Sequence, residues 1–326
     1  MKLATYKDGS RDGQLVVVSR DLTVAHYATG VASKLQSVLE DWNFMSPQLQ
    51  DISDALNRTG QGRARHAFPF EPARCMAPLP RAYQWACGTG SMQKDACLHH
   101  GASDGFAGAN DAILVPNADV AAAWGVDFDA SVAVITADVP QGATPEQALE
   151  GVRLVMLAND VSLRHVMAEE ASKGRGWIQG KPGAAFSPVA VTPDELVVAG
   201  ESSWRGGRLH LSVQSTWNGR KVGMVEGGLA MTIGFGELIA HLCANRAVRA
   251  GSVIGSGAVC SPDSTQGYSS IARKRMLETS DIGAATTPYL ALGDAVRIEV
   301  KGKDGVSVFG AIHQTVATAG GRAASD

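Results

Sequence analysis

Asp127 and Asp129 stand two residues apart at the head of an apolar run, and they are the side chains that most directly point to chemistry in this sequence. They belong to WGVDFDASVAVI, residues 124–135. On a strand, alternation would send Asp127, Asp129 and Ser131 to one face and Phe128, Ala130 and Val132 to the other. Three small oxygen-bearing groups sharing a pocket suit a hard cation such as Mg²⁺ or Ca²⁺, which takes oxygen ligands. The same spacing also describes a strand end with solvated aspartates, because Asp-x-Asp alone is a weak signature.

Other chemistries find less support. The five cysteines (Cys75, Cys87, Cys97, Cys243 and Cys260) are scattered and form no C-x-x-C pair, so neither a disulfide framework nor a zinc site is signalled. Reduced thiols are the expectation, and a nucleophilic one would need a neighbouring base to lower its pKa. The glycine-rich stretches CGTG (87–90) and IGSGAV (254–259) do not continue into dinucleotide or phosphate-loop motifs. There is no G-x-S-x-G elbow, although a triad assembled in space would leave no local trace. Arg63, Arg65 and His66 lie in a Gly- and Pro-rich segment and read as solvated loop charges.

The elements that must position these groups are mostly strands. Short β-branched runs separated by Gly, Pro and Asp predict strands at 14–19, 112–115, 132–136, 188–191, 209–216, 252–254, 295–300 and 307–311. Apolar residues at helical spacing predict two helices over 31–56, interrupted near Ser46-Pro47, and further helices at 145–158, 161–172 and 235–245. Strands dominate and helices intervene irregularly, which predicts an α+β, β-rich mixed roll with a small N-terminal α/β unit instead of regular βαβ winding. A chain of 326 residues is long enough to bury a core without metal or disulfide staples. Its net charge of −3 gives no footprint for nucleic acid. The polar N-terminus and the lack of any run of 18 apolar residues lead us to expect a soluble, cytoplasmic protein with no membrane partner.

Several fragments, taken in order, resemble the fumarylacetoacetate hydrolase family. They are CMAPLPRAYQW (75–85), WGVDFDASVAVI, LANDVSLRHV (157–166), GKPGAAFSPVAVTPDEL (180–196), MTIGFGELIAHL (231–242), RAGSVIGSGAV (249–259) and LGDAVRIEV (292–300). The resemblance implies a small N-terminal domain over 1–74, a catalytic roll over 75–316, a flexible tail over 317–326 and pairing into a homodimer. It also implies Mg²⁺ or Mn²⁺, with Ca²⁺ as an alternative, and a small oxo acid or β-diketone as substrate. A chelated cation would polarise the carbonyl and stabilise an enolate. By position, Asp95, Asp129 and Asp160 correspond to metal carboxylates and Lys181 to the lysine that stabilises an oxyanion. Arg164, four residues after Asp160 on what looks like one helical face, is a candidate for holding an anionic group.

Departures from the family pattern fall on the reactive positions. Its Glu-x-Glu is Asp129 and Ser131 here, so one ligand is shortened and the other loses its charge. The segment ACGTGSMQK (86–94) holds neither His nor Glu, whereas the family places a water-activating His-Glu dyad there. His99 and His100 follow closely and are the substitutes to consider, with Glu169 and Glu170 as further acid/base candidates. Among substrate contacts, Ser256 is kept, Ala258 replaces a threonine, and Met167 makes the pocket more apolar. The expectation is metal-assisted enolate chemistry, either C–C bond hydrolysis or non-hydrolytic decarboxylation, isomerisation or cyclisation. The alternative is a family member with a degenerate site, possessing no metal and binding a small molecule or partner without turnover.

Overall fold

The computed structural model describes residues 1–58, 64–88, 97–198, 201–302 and 304–319. Asp95, Arg63 and the tail from 320 onward lie outside these residues. The chain opens with strands β1 (Lys2–Tyr6), β2 (Gln14–Val18) and β3 (Val24–Tyr27), helices α1 (Leu35–Glu40) and α2 (Trp42–Asn57), and the short strand β4 (Phe68–Pro69). The break between the helices falls at Asp41, whose φ of −131° leaves the helical region, and not at Pro47, which sits inside α2.

The hairpin β5 (Trp85–Gly88) and β6 (Leu98–Gly101) precedes β7 (Ile113–Val115), α3 (Ala118–Trp124), β8 (Val126–Asp127), β9 (Ala130–Thr136), α4 (Pro145–Glu150) and β10 (Val152–Leu163). After α5 (Arg164–Ser172) come β11 (Gly183–Phe186) and β12 (Ala190–Val191). Two ribbons follow, β13 (Val197–Val198) with β14 (Glu201–Ser202) and β15 (Trp204–Arg205) with β16 (Arg208–Leu209). The chain continues through β17 (Ser212–Trp217), β18 (Arg220–Glu226), α6 (Gly227–Ala230), α7 (Phe235–Leu242), β19 (Val253–Ala258) and α8 (Ile271–Ile282). It closes with β20 (Ala295–Val300) and β21 (Ile312–Thr318), so the tail expected from 317 begins inside a strand. The strand expected at 307–311 is displaced into β21.

The main sheet runs β4-β3-β2-β1-β12-β10-β9-β19-β5-β6, with β8 and β11 also paired to β10. The leading strands are thus joined to the rest, Leu3 lying opposite Ala190. A second sheet has the order β18-β17-β20-β21-β7. Along β9, Val132 and Val134 enter one apolar cluster while Ala133 and Ile135 enter another, so the main sheet is buried on both faces. A doubly buried strand reads as a continuous apolar run with no period of two. That is why 152–158 and 161–163 pass for helix in the sequence: the true helix α4 is closed by its Thr144–Gln147 capping box at one end and Gly151 at the other, and the chain from Val152 to Leu163 is strand. Among the described residues no helix is long and apolar enough to cross a membrane.

Candidate functional site

The site forms where the start of β9, the end of β10, the β5–β6 hairpin and the turn before β11 converge. Gly125 ends α3 with φ of 66°, a conformation that suits glycine, and turns the chain into β8. Between β8 and β9 the pairing lapses at Phe128 and Asp129, and Asp129 is anchored instead to its neighbour strand. Its N–H donates to Asn159 Oδ1 at 2.9 Å, and its carbonyl accepts from the Asp160 N–H at 3.1 Å. Asn159 is held in turn, since its Nδ2 donates to Gln314 Oε1 at 2.9 Å. Asp129 and Asp160 are therefore fixed relative to each other by the main chain.

Charge alternates through the buried cluster. Lys181 Nζ donates to Asp160 Oδ2 and to Ser162 Oγ, both at 2.7 Å, and lies 3.5 Å from Asp129 Oδ2. Arg164 reaches Asp129 Oδ2 through Nη2 at 3.0 Å and Asp127 Oδ2 through Nε at 2.8 Å. Asp127 also accepts from the first N–H groups of α8, those of Ile271 at 2.7 Å and Ala272 at 2.9 Å. A helix N-terminus and a guanidinium thus neutralise a carboxylate with no solvent exposure. Burial nevertheless pushes Asp127 above the usual carboxylate range. Burial acts the same way on Asp160, but the Lys181 ammonium and His99 outweigh it and hold Asp160 well below that range. Lys181 is likewise disfavoured as a cation by burial, yet Asp160 and Asp129 raise its pKa, so its ammonium is charged.

Asp160 carries further partners. Trp85 Nε1 donates to its Oδ1 at 3.3 Å, and His99 Nε2 lies 3.1 Å from its Oδ2. The Trp177 ring stands edge-on to His99 with centroids 5.4 Å apart. Cys87 is the cross-strand neighbour of His99. Its thiol sulfur, a His99 ring nitrogen and an Asp160 carboxylate oxygen all lie within 4.8 Å of one another.

Of the residues expected at the site, Asp129, Asp160, Lys181, Arg164 and His99 come together. Arg164 and Asp160 do so as neighbours in extended chain, not as one face of a helix, because α5 begins only at Arg164. Ser131 is buried inside the sheet, where its Oγ donates to the Asp129 carbonyl at 3.3 Å. Ser256 spends its hydroxyl on the Gly257 carbonyl and the Val132 N–H, and Ala258 lies opposite Ser131 in the ladder. These three support the sheet under the site. Alternation on β6 turns His100 away from His99, and its Nε2 lies 3.4 Å from Arg246. Met167 packs under Gly180, where an added Cβ would meet Met167 Cγ at 2.4 Å. Glu169 pairs with Lys173 on the surface. Glu170 accepts from the N–H groups of Ile178, Gln179 and Gly180 at 2.9–3.1 Å and so shapes the turn that delivers Lys181.

The sequence reading missed Asp127 as a structural ion, and Trp85 and Cys87 as neighbours of Asp160. The pairing of β5 with β6 sets Cys87 opposite His99, and neither the glycines of CGTG nor the missing dyad signals that pairing in the sequence. The donor set fits a divalent cation. His99 Nδ1 and Asp129 Oδ1 are buried with no hydrogen-bond partner, and a thiol, an imidazole and a carboxylate are gathered beside them.

The chain matches two family descriptions, fumarylacetoacetase N-terminal domain 2 over residues 1–81 and fumarylacetoacetate (FAA) hydrolase C-terminal over residues 81–317. No curated protein matches it. Among solved structures, it is similar to a probable 2-hydroxyhepta-2,4-diene-1,7-dioate isomerase from Mycobacterium abscessus, at 18% identity and a TM-score of 0.68, covering 98% of this chain and 99% of that one. The fumarylacetoacetate hydrolase of Exiguobacterium antarcticum shares 18% identity with a TM-score of 0.66 and the same coverage. Maleylpyruvate hydrolase from Sphingobium sp. SYK-6, in complex with manganese (II) and pyruvate, shares 14% identity with a TM-score of 0.65, again covering 98% and 99%.

Proposed function

The chain belongs to the fumarylacetoacetate hydrolase family, and from that premise we propose that it acts on a small 1,3-dicarbonyl or 2-oxo acid through an enolate. The observation that carries this reading is the buried Lys181 ammonium set between Asp160 and Asp129. A fixed cation in a water-poor site stabilises negative charge as it develops on a carbonyl oxygen, and it needs no reorganisation to do so. Asp129 has an oxygen, Oδ1, buried without a hydrogen-bond partner, and it is the proton acceptor in this reading. A C–H flanked by two carbonyls is acidic enough for a carboxylate base. Arg164 holds Asp129 in place through its other oxygen and is a positioning residue.

Asp160 and His99 would hold a divalent cation, Mn²⁺ being the ion in the maleylpyruvate hydrolase complex. Such an ion supplies Lewis acidity that polarises the substrate carbonyl. Isomerisation through an enolate, or decarboxylation of a β-oxo acid to an enolate that is then protonated, is the reaction class these residues favour: the first needs a base and an oxyanion donor, the second the oxyanion donor alone, and neither needs activated water. Turnover of a panel of acylpyruvates, oxaloacetate and unsaturated 2-hydroxy diacids tests the reading. Removing the cation with Lys181→Met should lower kcat on the accepted substrate by about 10²–10³-fold, the cost of losing one oxyanion donor. Unchanged turnover in both Lys181→Met and Asp160→Ala would refute the assignment.

A further inference from the structure

Cys87 has no part in the enolate chemistry, yet its thiol lies beside Asp160. Antiparallel pairing sets it directly opposite His99, on the face of the hairpin that meets the end of β10. Its sulfur, one His99 nitrogen and one Asp160 oxygen lie within 4.8 Å of one another, and all three residues are buried. A second observation points the same way: the His99 side chain is only 8% exposed, and its Nδ1 has no hydrogen-bond partner.

Geometry and charge are both compatible with an ion at this point. Donors about 2.0–2.3 Å from a tetrahedral Zn²⁺ stand roughly 3.3–3.8 Å apart, so small side-chain rotations would close the cluster. The buried carboxylates Asp127, Asp129 and Asp160 outnumber the cations Arg164 and Lys181 that pair with them by one. A divalent ion taken up with loss of one thiol proton brings that balance to neutrality. Sulfur and imidazole donors favour Zn²⁺ and Co²⁺, whereas Mg²⁺ and Ca²⁺ take oxygen.

We infer that Cys87, His99 and Asp160 form a site for a thiophilic divalent ion of the Zn²⁺ and Co²⁺ class, with Cys87 bound as thiolate. On binding, the Cys87 S–H bond breaks, its proton leaves to solvent, and the sulfur electron pair forms the bond to the ion; nothing is oxidised or reduced. The site shares Asp160 and His99 with the function proposed above and adds Cys87; it needs no substrate, so a failure of turnover and a failure of thiolate–metal binding are separate results.

The test is titration of the full, chelator-stripped chain with Co²⁺ under anaerobic conditions. Binding of one equivalent with a near-ultraviolet thiolate-to-cobalt charge-transfer band is the expected result. Zn²⁺ should displace the Co²⁺, and millimolar Mg²⁺ should not. The band should vanish in Cys87→Ser, with Zn²⁺ affinity falling by roughly 10–100-fold or more. It should persist in Cys97→Ser, which removes an exposed thiol close in sequence. A Co²⁺ spectrum without the band, a band unaffected by Cys87→Ser, or displacement by Mg²⁺ would overturn the assignment. If Cys87→Ser does not fold, X-ray absorption on the Zn²⁺-loaded natural chain decides: one sulfur neighbour at about 2.3 Å supports the site, and none refutes it.

Discussion

Asp160 accepts from Lys181 and Trp85 and faces His99, a set of partners that favours the ionised carboxylate. Its depressed pKa makes it a stability device as well as a functional group. Because the folded value lies below the ordinary 3.8, the contribution is fully present above about pH 4 and is lost as pH falls through the folded value. Lys181 behaves in the opposite sense. Its folded pKa lies above the ordinary 10.5, so its contribution is present below that pH and fades as pH rises through the folded value. Asp160→Asn leaves a buried ammonium with Asp129 as its remaining counter-ion, and we expect chelator-treated protein to lose about 3 kcal/mol, the lower end of the cost of breaking a buried pair. Urea unfolding across pH 3–7 measures it. The variant should also show a shallower loss of stability toward acid; an unchanged acid slope would mean that other carboxylates dominate. At this scale the sequence was legible where a residue type has few uses in a buried place, as with Asp160 and Lys181. It was misleading where a hydroxyl can serve the backbone, as Ser131 and Ser256 do.

The turn that ends in Lys181 shows how one element positions another. It leaves α5 through Gly174 and is gathered by Glu170, whose carboxylate binds three successive N–H groups before the chain enters β11. Gly180 packs so closely on Met167 that the turn has no room to slide toward α5. Glu170→Gln replaces a charged acceptor with a single amide oxygen, which cannot serve all three donors. We expect kcat to fall about tenfold through misplacement of Lys181, with the thermal midpoint little changed because Glu170 is only half-buried. Faster amide exchange at 178–180 would separate this cause from general destabilisation; a lower kcat with unaltered exchange would contradict it. Element type was readable for α4 and α7, whereas α3 and α8, capped by Asn117 and Ser270 and closed by Gly125 and Gly283, went unpredicted. It was misread along 152–158 and 161–163, where apolar residues on both faces erase the period of two and only the Gly151 stop marks the change.

Across the whole molecule, the boundary near residue 74 that composition and resemblance mark is not a boundary of the main sheet. β1 pairs with β12 and carries β2, β3 and β4 outward from it. Leu3, Leu15, Val17, Leu39 and Leu49 share an apolar cluster with Trp85, Ile135 and Phe186, which are distant in sequence. Polar ties cross the same line: the Lys2 ammonium donates to the Val308 carbonyl, and Arg20 pairs with Glu195. Long-range pairing of this kind leaves no local trace, since register depends on which edges meet and not on any one segment's composition. Removing residues 1–74 would strip β12 of β1, leave it paired only to β10, and uncover a continuous apolar face. We therefore expect a chain starting at residue 75 to be insoluble or to bind hydrophobic dyes with no cooperative melt, instead of persisting as a stable catalytic unit. Size-exclusion chromatography with circular dichroism melting measures this. A monodisperse fragment with a sharp transition would show that the leading strands decorate the sheet without holding it, and it would return the domain boundary to where composition first placed it.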